Sequence, residues 1–366
     1  MKKLTYSVAF TAVVVAGAAL ASGQSNQSPF RVAIAGLVHG HVEGFLSSVA
    51  KRSDIQIVGV AERDQKVSDK YAAKFKLSPK LFYSDLDQML AAVKPQAVLA
   101  YTETRDHRRV VEIAARHHTP VMMEKPLAVS VDDALAIKRA SDAAHIAVLV
   151  NYETTWYPST ATIYKLAQQG VGEIRKVVIH DGHNGPKEIG VPPEFLDWLT
   201  DPGRNGAGAL FDFGCYGADI MTWLMHGEAP TTVTAVLQTM KPQIYSRVDD
   251  EATVILTYPK AQAILQASWN WPFSRKDVEL YGETGQATTM DRELLSVRFG
   301  NARKNDFATS LPLTPPYDDP ISYLIAVVSG KIQPSGLSAL DTNITVVRIL
   351  DAARESAKIG RTITLH

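Results

Sequence analysis

The sequence contains a single cysteine, Cys215, among 366 residues, so an intrachain disulfide is excluded. It also lacks an excess of charge of either sign, because Lys plus Arg and Asp plus Glu both number 38. No basic region therefore predicts binding to nucleic acid. Hydrophobic residues make up 46% and charged residues 21% of the chain, a globular balance that excludes general disorder. The length suits two domains with full cores.

The apolar run nearest the N-terminus is short. It extends from about Tyr6 to Leu20, fewer than the ~20 residues needed to span a bilayer. The basic Met1-Lys2-Lys3 precedes it, and Ala19-Leu20-Ala21 closes it. This pattern predicts a cleavable secretory signal over 1–21 and a polar linker over 22–29. We therefore expect a periplasmic or secreted protein without a stable membrane anchor.

Apolar, β-branched runs alternate with helical patterns between residues 30 and 150. The predicted strands are Phe30–Gly36, Ile55–Ala61, Pro95–Tyr101, Val121–Met123 and Ile146–Val150. The predicted helices are His41–Ala50, Asp64–Phe75, Leu86–Val93, His107–His117 and Val131–Ala144. Such alternation is typical of an α/β fold with a parallel, doubly wound sheet, in this case an N-terminal Rossmann domain over 30–150. Its ligand would lie at the carboxyl ends of the strands.

The pattern changes after about Asn151, and residues 151–366 are predicted to form a C-terminal α+β domain. A helix at Pro158–Gln169 precedes period-2 runs, and a second helix at Ala339–Lys358 follows them. The runs are Ile174–His180, Thr232–Met240, Ala252–Tyr258, Ala263–Trp269 and Lys276–Tyr281. They predict an open, mostly antiparallel sheet with one face on helices and the other free to meet a neighbour.

The turn after the first strand resembles a dinucleotide-binding loop with two of its glycines replaced. Gly36, Val38 and His41 occupy the positions where that loop prefers glycine, with His39 and Gly40 between them. A turn without a ligand stays open as an alternative. The two histidines have no carboxylate or cysteine beside them in sequence, so no metal site is predicted.

Glu62 ends the second strand, where a carboxylate accepts hydrogen bonds from ribose hydroxyls and repels a 2′-phosphate. It favours NAD as the cofactor, with NADP possible because Arg63 is adjacent. Thr102 and Glu124 lie at the same predicted sheet edge and are further candidate cofactor contacts.

Lys125, within Glu124-Lys125-Pro126, follows a buried strand at this edge. Asp212 and Tyr216 are four residues apart, which on one helix directs both side chains into the same cleft. A free phenol has a pKa near 10, too high for an efficient base at neutral pH. We expect the Lys125 ammonium to lower the pKa of Tyr216 and Asp212 to orient the substrate hydroxyl or the lysine.

Several motifs together resemble the glucose–fructose oxidoreductase / inositol dehydrogenase / rhizopine-catabolism (Gfo/Idh/MocA) family. They are Glu124-Lys125-Pro126-Leu127, the segments 170–174 and 206–216, Asp219, and the segment 281–285. The resemblance extends from about Phe30 to the C-terminus. It implies a nicotinamide cofactor, hydride transfer at a sugar or cyclitol carbon, and a catalytic set of Lys125, Asp212 and Tyr216. Many members have histidine at the Tyr216 position.

The resemblance also implies softer assignments. His107 is a candidate cofactor neighbour, with a plain helix residue equally open. Independently of the resemblance, Asn151, Tyr152 and His183 lie on segments that face the predicted cleft and are candidate contacts for substrate hydroxyls. We expect a small-molecule carbohydrate substrate and a homo-oligomer, a dimer or tetramer. Two alternatives remain: an NAD-dependent glycoside hydrolase or lyase that recycles a bound cofactor, and a non-catalytic sugar-binding protein of the same fold.

Overall fold

The structure, a computed structural model, describes residues 28–365. The predicted signal segment 1–21 and most of the linker 22–29 lie outside the described residues. Within 28–365, no helix is both long enough and apolar enough to cross a membrane.

The N-terminal region forms a six-stranded parallel sheet with helices on both sides. Its strands are β1 (Phe30–Ala35), β2 (Ile55–Ala61), β3 (Phe82–Tyr83), β4 (Ala97–Ala100), β5 (Val121–Glu124) and β6 (Val148–Asn151). Its helices are α1 (Val42–Val49), α2 (Gln65–Phe75), α3 (Leu86–Val93), α4 (His107–Arg116) and α5 (Val131–Ala144). The strand order β3-β2-β1-β4-β5-β6 is that of a Rossmann sheet, which confirms the predicted fold class.

Local sequence explains where several of these helices begin. The side chains of Asp64, Asp85 and Ser130 each accept a hydrogen bond from a backbone N–H in the first turn of α2, α3 and α5. These caps satisfy donors that the helix itself leaves unpaired. Every residue of β4 and β5 is buried, as expected for strands covered on both faces.

The C-terminal region contains a nine-stranded sheet. Its helices are α6 (Pro158–Gln169), α7 (Pro193–Leu199), α8 (Pro202–Asn205), α9 (Ala209–Asp212), α10 (Gly214–Leu224), α11 (Pro320–Val328) and α12 (Leu340–Ile359). Its strands are β7 (Ile174–Gly182), β8 (Thr232–Gln238), β9 (Glu251–Thr257), β10 (Gln262–Ser268), β11 (Arg275–Gly282), β12 (Gly285–Thr289), β13 (Leu294–Phe299), β14 (Asp306–Thr309) and β15 (Ile363–Thr364).

This second sheet is mixed and mostly antiparallel, with the order β14-β13-β12-β11-β7-β10-β9-β8-β15. Among the described strands of this second sheet, only β7 and β10 pair in parallel. Helices α10 and α12 pack on one face, α10 over β7 and β10 and α12 over β8. One hydrophobic cluster joins the sheets, since it contains Val98 and Val121 of the first and Val177 and Leu265 of the second.

Candidate active site

The carboxyl ends of β5 and β6 face helices α9 and α10 across a cleft between the two sheets. Lys125 follows β5 directly, so its ammonium enters this cleft from the Rossmann side. A cavity of about 780 Å³ occupies the cleft. The charged and aromatic groups lining it include His41, Lys125, Glu153, His183, Asp212, Phe213, Tyr216, Lys276 and Arg292.

Lys125 and Asp212 form a buried ion pair at the base of this cavity. The Lys125 Nζ lies 2.5 Å from the Asp212 Oδ1 and also donates to the Asp212 main-chain oxygen at 2.9 Å. The Trp269 Nε1 donates to the other carboxylate oxygen at 2.9 Å. Burial opposes both charges, but the pair outweighs it: the pKa of Lys125 is raised and that of Asp212 is lowered. Asp212 therefore holds the lysine in place.

Tyr216 lies beside this pair but belongs to the first turn of a different helix from Asp212. Helix α9 ends at Asp212, Phe213 separates the helices, and α10 starts at Gly214, so the predicted single helical turn is wrong. Both side chains nevertheless line the same cavity.

The electrostatic effect expected at Tyr216 also differs from the prediction. Burial, followed by the nearby Glu153 carboxylate, raises the pKa of Tyr216 well above its ordinary value. The Lys125 Nζ lies 5.3 Å from the ring centroid, and its charge is matched by Asp212. The expected lowering of this pKa by Lys125 is therefore wrong, and the phenol is protonated at neutral pH.

Lys276 and Glu153 are site residues that the sequence analysis missed. Their side chains form an ion pair, and the Lys276 Nζ lies 4.5 Å from the centroid of the Tyr216 ring. A signal was present in the sequence. Lys276, Val278 and Leu280 are alternate residues of β11, so their side chains point to the same, buried face of the sheet. A lysine on an otherwise apolar face needs a charged partner, so its presence there indicated a polar site.

The three predicted substrate contacts have different positions. His183 lines the cavity, with its ring 4.8 Å from that of Phe213 and perpendicular to it. Asn151 does not line this cavity; its side-chain amide forms hydrogen bonds with Glu124 and Trp156. Tyr152 was assigned wrongly. Tyr152 follows the last residue of β6 and its side chain points into the core. Its hydroxyl donates to Asn343 at 2.9 Å, and its fully buried ring packs edge-on against Tyr216.

The predicted cofactor residues at the end of β1 form a second, smaller cavity of about 270 Å³. Gly36, Val38, Glu62 and Thr102 line it. Gly36 has a φ of +79°, and a Cβ there would lie 2.6 Å from the Thr102 side chain, so only glycine fits. Glu62 accepts hydrogen bonds from the backbone N–H groups of Leu37 and Asp64, which hold its carboxylate at the cavity wall.

Helix α7 fixes the loop that follows. The Trp198 Nε1 donates to the Val38 carbonyl at 3.1 Å, and the Phe195 ring lies 2.9 Å from the place of a Gly40 Cβ. His39 is buried between these two aromatic rings, with centroids 4.7 and 5.5 Å away. Packing against α7 therefore stabilises the conformation of this turn, whereas glycines allow the turn of the standard dinucleotide-binding loop.

Two more predicted cofactor residues contact the loop after β5. His107 is buried, and its Nδ1 lies 3.1 Å from the Pro126 carbonyl and 3.2 Å from that of Leu127. It contacts the backbone just after Lys125 and lines neither of the two cavities described above. Glu124 is also buried, and its carboxylate lies 2.8 Å from the His41 Nδ1.

A Rossmann sheet with a glycine turn and an acidic strand end defines the class of nucleotide-binding α/β proteins. Residues 30–152 match the family model described as an oxidoreductase family with an NAD-binding Rossmann fold. Residues 160–288 match the model of the GFO/IDH/MocA C-terminal domain. The two matches together span more than half of the chain, which therefore belongs to the Gfo/Idh/MocA family of NAD-binding oxidoreductases.

Relatives with a stated activity are distant. The chain is 25% identical to trans-1,2-dihydrobenzene-1,2-diol dehydrogenase of Sus scrofa, over 66% of this chain and 68% of that protein. It is 24% identical to scyllo-inositol 2-dehydrogenase (NADP(+)) of Bacillus subtilis, over 86% and 93% respectively.

Solved structures support the fold. Aldose-aldose oxidoreductase from Caulobacter crescentus complexed with glycerol superposes with a TM-score of 0.76 at 21% identity, covering 92% of this chain and all of that one. An inositol dehydrogenase homolog from Azotobacter vinelandii complexed with NAD+ gives 0.79 at 17% identity, covering 92% and 98%.

Proposed function

We propose that this oxidoreductase transfers hydride between a nicotinamide cofactor and a hydroxyl-bearing carbon of a sugar or cyclitol. The observation that carries the proposal is the buried Lys125–Asp212 pair beside Tyr216, in a cavity bounded by the Rossmann sheet and the second domain. Relatives named for diol and inositol oxidation support the substrate class.

The cofactor fits the residues at the sheet edge. Gly36 gives the close approach that a dinucleotide needs, and Glu62 and Thr102 line a cavity suited to the adenosine ribose. Glu62 favours NAD over NADP, because its carboxylate repels a 2′-phosphate. The segment from Val38 to His41 would hold the pyrophosphate region. When bound beside Lys125, nicotinamide supplies or accepts the hydride.

Side chains of this protein would transfer the proton to or from the substrate oxygen. Because the Tyr216 phenol is protonated, it is suited to donate a proton to the oxygen of a carbonyl as hydride reaches its carbon. Lys125, fixed by Asp212, supplies positive charge and donors where negative charge develops on that oxygen. In the direction of oxidation, Tyr216 must first lose its proton, so that direction is favoured at high pH.

The test begins with the nucleotide. Protein purified without added cofactor is denatured, and any released nucleotide is identified by mass spectrometry. A separate, folded sample is assayed with NAD+ and with NADP+ on a panel of cyclitols, aldoses and diols. Reduction of NAD+ with any of these supports the proposal. Absence of a co-purified nucleotide, together with failure to bind either nucleotide in a titration of the folded protein, would refute it.

We also propose that the protein works outside the cytoplasm as a homo-oligomer. The N-terminal signal pattern supports export. The sheet face opposite α10 and α12 has partly exposed Val178, Ile255 and Ile264 in adjacent strands, which suits a second copy. Sequencing the mature N-terminus tests cleavage after Ala21, and light scattering measures the assembly. An intact N-terminus and a monomer would contradict these two proposals.

A further inference from the structure

Three metal-ligating side chains meet where the loop after β1 contacts the end of β5. His39 and His41 come from the loop, and Glu124 is the last residue of the strand. Each offers one ligand atom, and these atoms all lie within 4.8 Å of one another. No metal site was predicted here, and the nearest carboxylate in sequence, Glu43, pairs with Lys74 instead. The fold supplies the carboxylate of Glu124 from 83 residues away.

We propose that His39, His41 and Glu124 bind a divalent cation of the zinc class. Two imidazoles and one carboxylate are a ligand set typical of catalytic zinc sites, which leave a further position open. Metal–ligand distances of about 2.0–2.2 Å place ligand atoms roughly 3.4 Å apart in a tetrahedron. The His41 Nδ1 and the Glu124 Oε2 are now 2.8 Å apart, so the His41 ring must turn for a cation to enter between them.

The surroundings of Glu124 and His39 resemble the outer shell of a metal site. The second carboxylate oxygen of Glu124 accepts a hydrogen bond from the Asn151 Nδ2 at 2.9 Å. The Asn151 Oδ1 is in turn held by the Trp156 Nε1 at 2.8 Å. Such partners orient a ligating carboxylate and strengthen binding. The rings of α7 clamp His39, so two of the three ligands are fixed before a cation arrives.

His41 provides the entry path. Its side chain is 45% exposed, whereas that of Glu124 is 3% exposed. It lines the cavity that contains Tyr216 and also a neighbouring cavity of about 570 Å³. A cation held by His41 would therefore have its open position toward the space where we propose that substrate binds, and hydroxyl oxygens there would complete its coordination.

A second cluster in the described part of the chain has similar composition and serves as a control. His180, Asp277 and Glu279 also lie within 4.8 Å of one another. The Arg275 guanidinium, however, pairs with Asp277 and reaches Glu279 at 4.0 Å. Because a cation already neutralises these carboxylates, we expect no metal there.

The experiment measures metal per chain on intact protein purified without a histidine tag. The protein is stripped with a chelator, incubated with Zn²⁺ or Co²⁺, freed of unbound metal by gel filtration, and analysed by mass spectrometry. We expect about one Zn²⁺ per chain and the strong visible absorption of tetrahedral Co²⁺. His41→Gln should abolish both, and Asn151→Ala should weaken Zn²⁺ binding roughly 10- to 100-fold. His180→Gln should leave both unchanged.

The inference would be overturned by wild-type protein that retains no Zn²⁺, or by His41→Gln that retains as much Zn²⁺ as wild type. Loss of metal in His180→Gln alone would likewise overturn it, by assigning the metal to the other cluster. His41 is exposed, so its replacement is expected to fold, which circular dichroism checks. The measurement needs no nucleotide or substrate, so its outcome is independent of the proposed redox function.

Discussion

Replacing Lys125 by methionine should destabilise the protein strongly, because it leaves the buried Asp212 carboxylate without its partner. Both side chains are about 5% exposed. Removing one member of a buried ion pair costs about 3–5 kcal/mol. Removing both charges, in Lys125→Met with Asp212→Asn, should restore most of the loss and leave a deficit of about 1 kcal/mol from weaker hydrogen bonding.

The assay is urea unfolding of the two single variants, the double variant and wild type, followed by tryptophan fluorescence. We expect the double variant to be inactive although stable. Because the pKa of Asp212 is lowered in the folded protein, its contribution to the free energy of unfolding is fully present above its unfolded pKa near 4. That contribution is lost as the pH falls through its folded pKa. The raised pKa of Lys125 makes its contribution present below about 10.4 and lost at higher pH. A Lys125→Met protein as stable as wild type would refute the buried pair.

Three further predictions concern the proton, the cofactor and the second lysine. Tyr216→Phe should slow carbonyl reduction about 100-fold or more. In wild type, the rate of reduction should be constant from about pH 6 to 9, whereas the rate of oxidation should rise with pH. A reduction rate that falls near neutral pH would contradict a protonated Tyr216. Glu62→Gln should reduce the ratio of the Kd for NADP+ to the Kd for NAD+ by roughly tenfold, as measured by fluorescence titration. An unchanged ratio of the two Kd values would exclude Glu62 as the residue that selects NAD+. Lys276→Met leaves the Glu153 carboxylate without its cation near Tyr216, so the rise of the oxidation rate should move to higher pH. An unshifted pH profile would exclude this coupling between Lys276 and Tyr216.

Much of the fold is encoded locally and was predictable. The predicted bounds of β2, α3, α5 and α6 agree with the structure. Caps such as Asp85 and Ser130 and clear periodicity mark these elements within a few residues of sequence. Strands β12 to β14 were missed. All four residues of β14 are exposed, so no apolar alternation marks it.

The site was predictable only where a motif or a strand end marked it. Lys125 follows a buried strand, and its position at the sheet edge follows from the parallel fold. The pairing of Glu124 with His41, the clamp of α7 on His39 and the buried direction of Tyr152 depend on contacts between segments distant in sequence. The predicted lowering of the Tyr216 pKa was wrong for a related reason, because the burial that raises this pKa depends on tertiary packing.

The most direct test of the central claim is a single-turnover measurement of nicotinamide absorbance. Wild-type protein mixed with NADH and a keto-cyclitol or keto-sugar should oxidise NADH in one exponential phase. The Tyr216→Phe protein should bind NADH equally well and react about 100-fold more slowly. Equal rates for the two proteins, or hydride transfer undiminished in the stable Lys125→Met, Asp212→Asn double variant, would contradict the assignment of the reaction to this cleft.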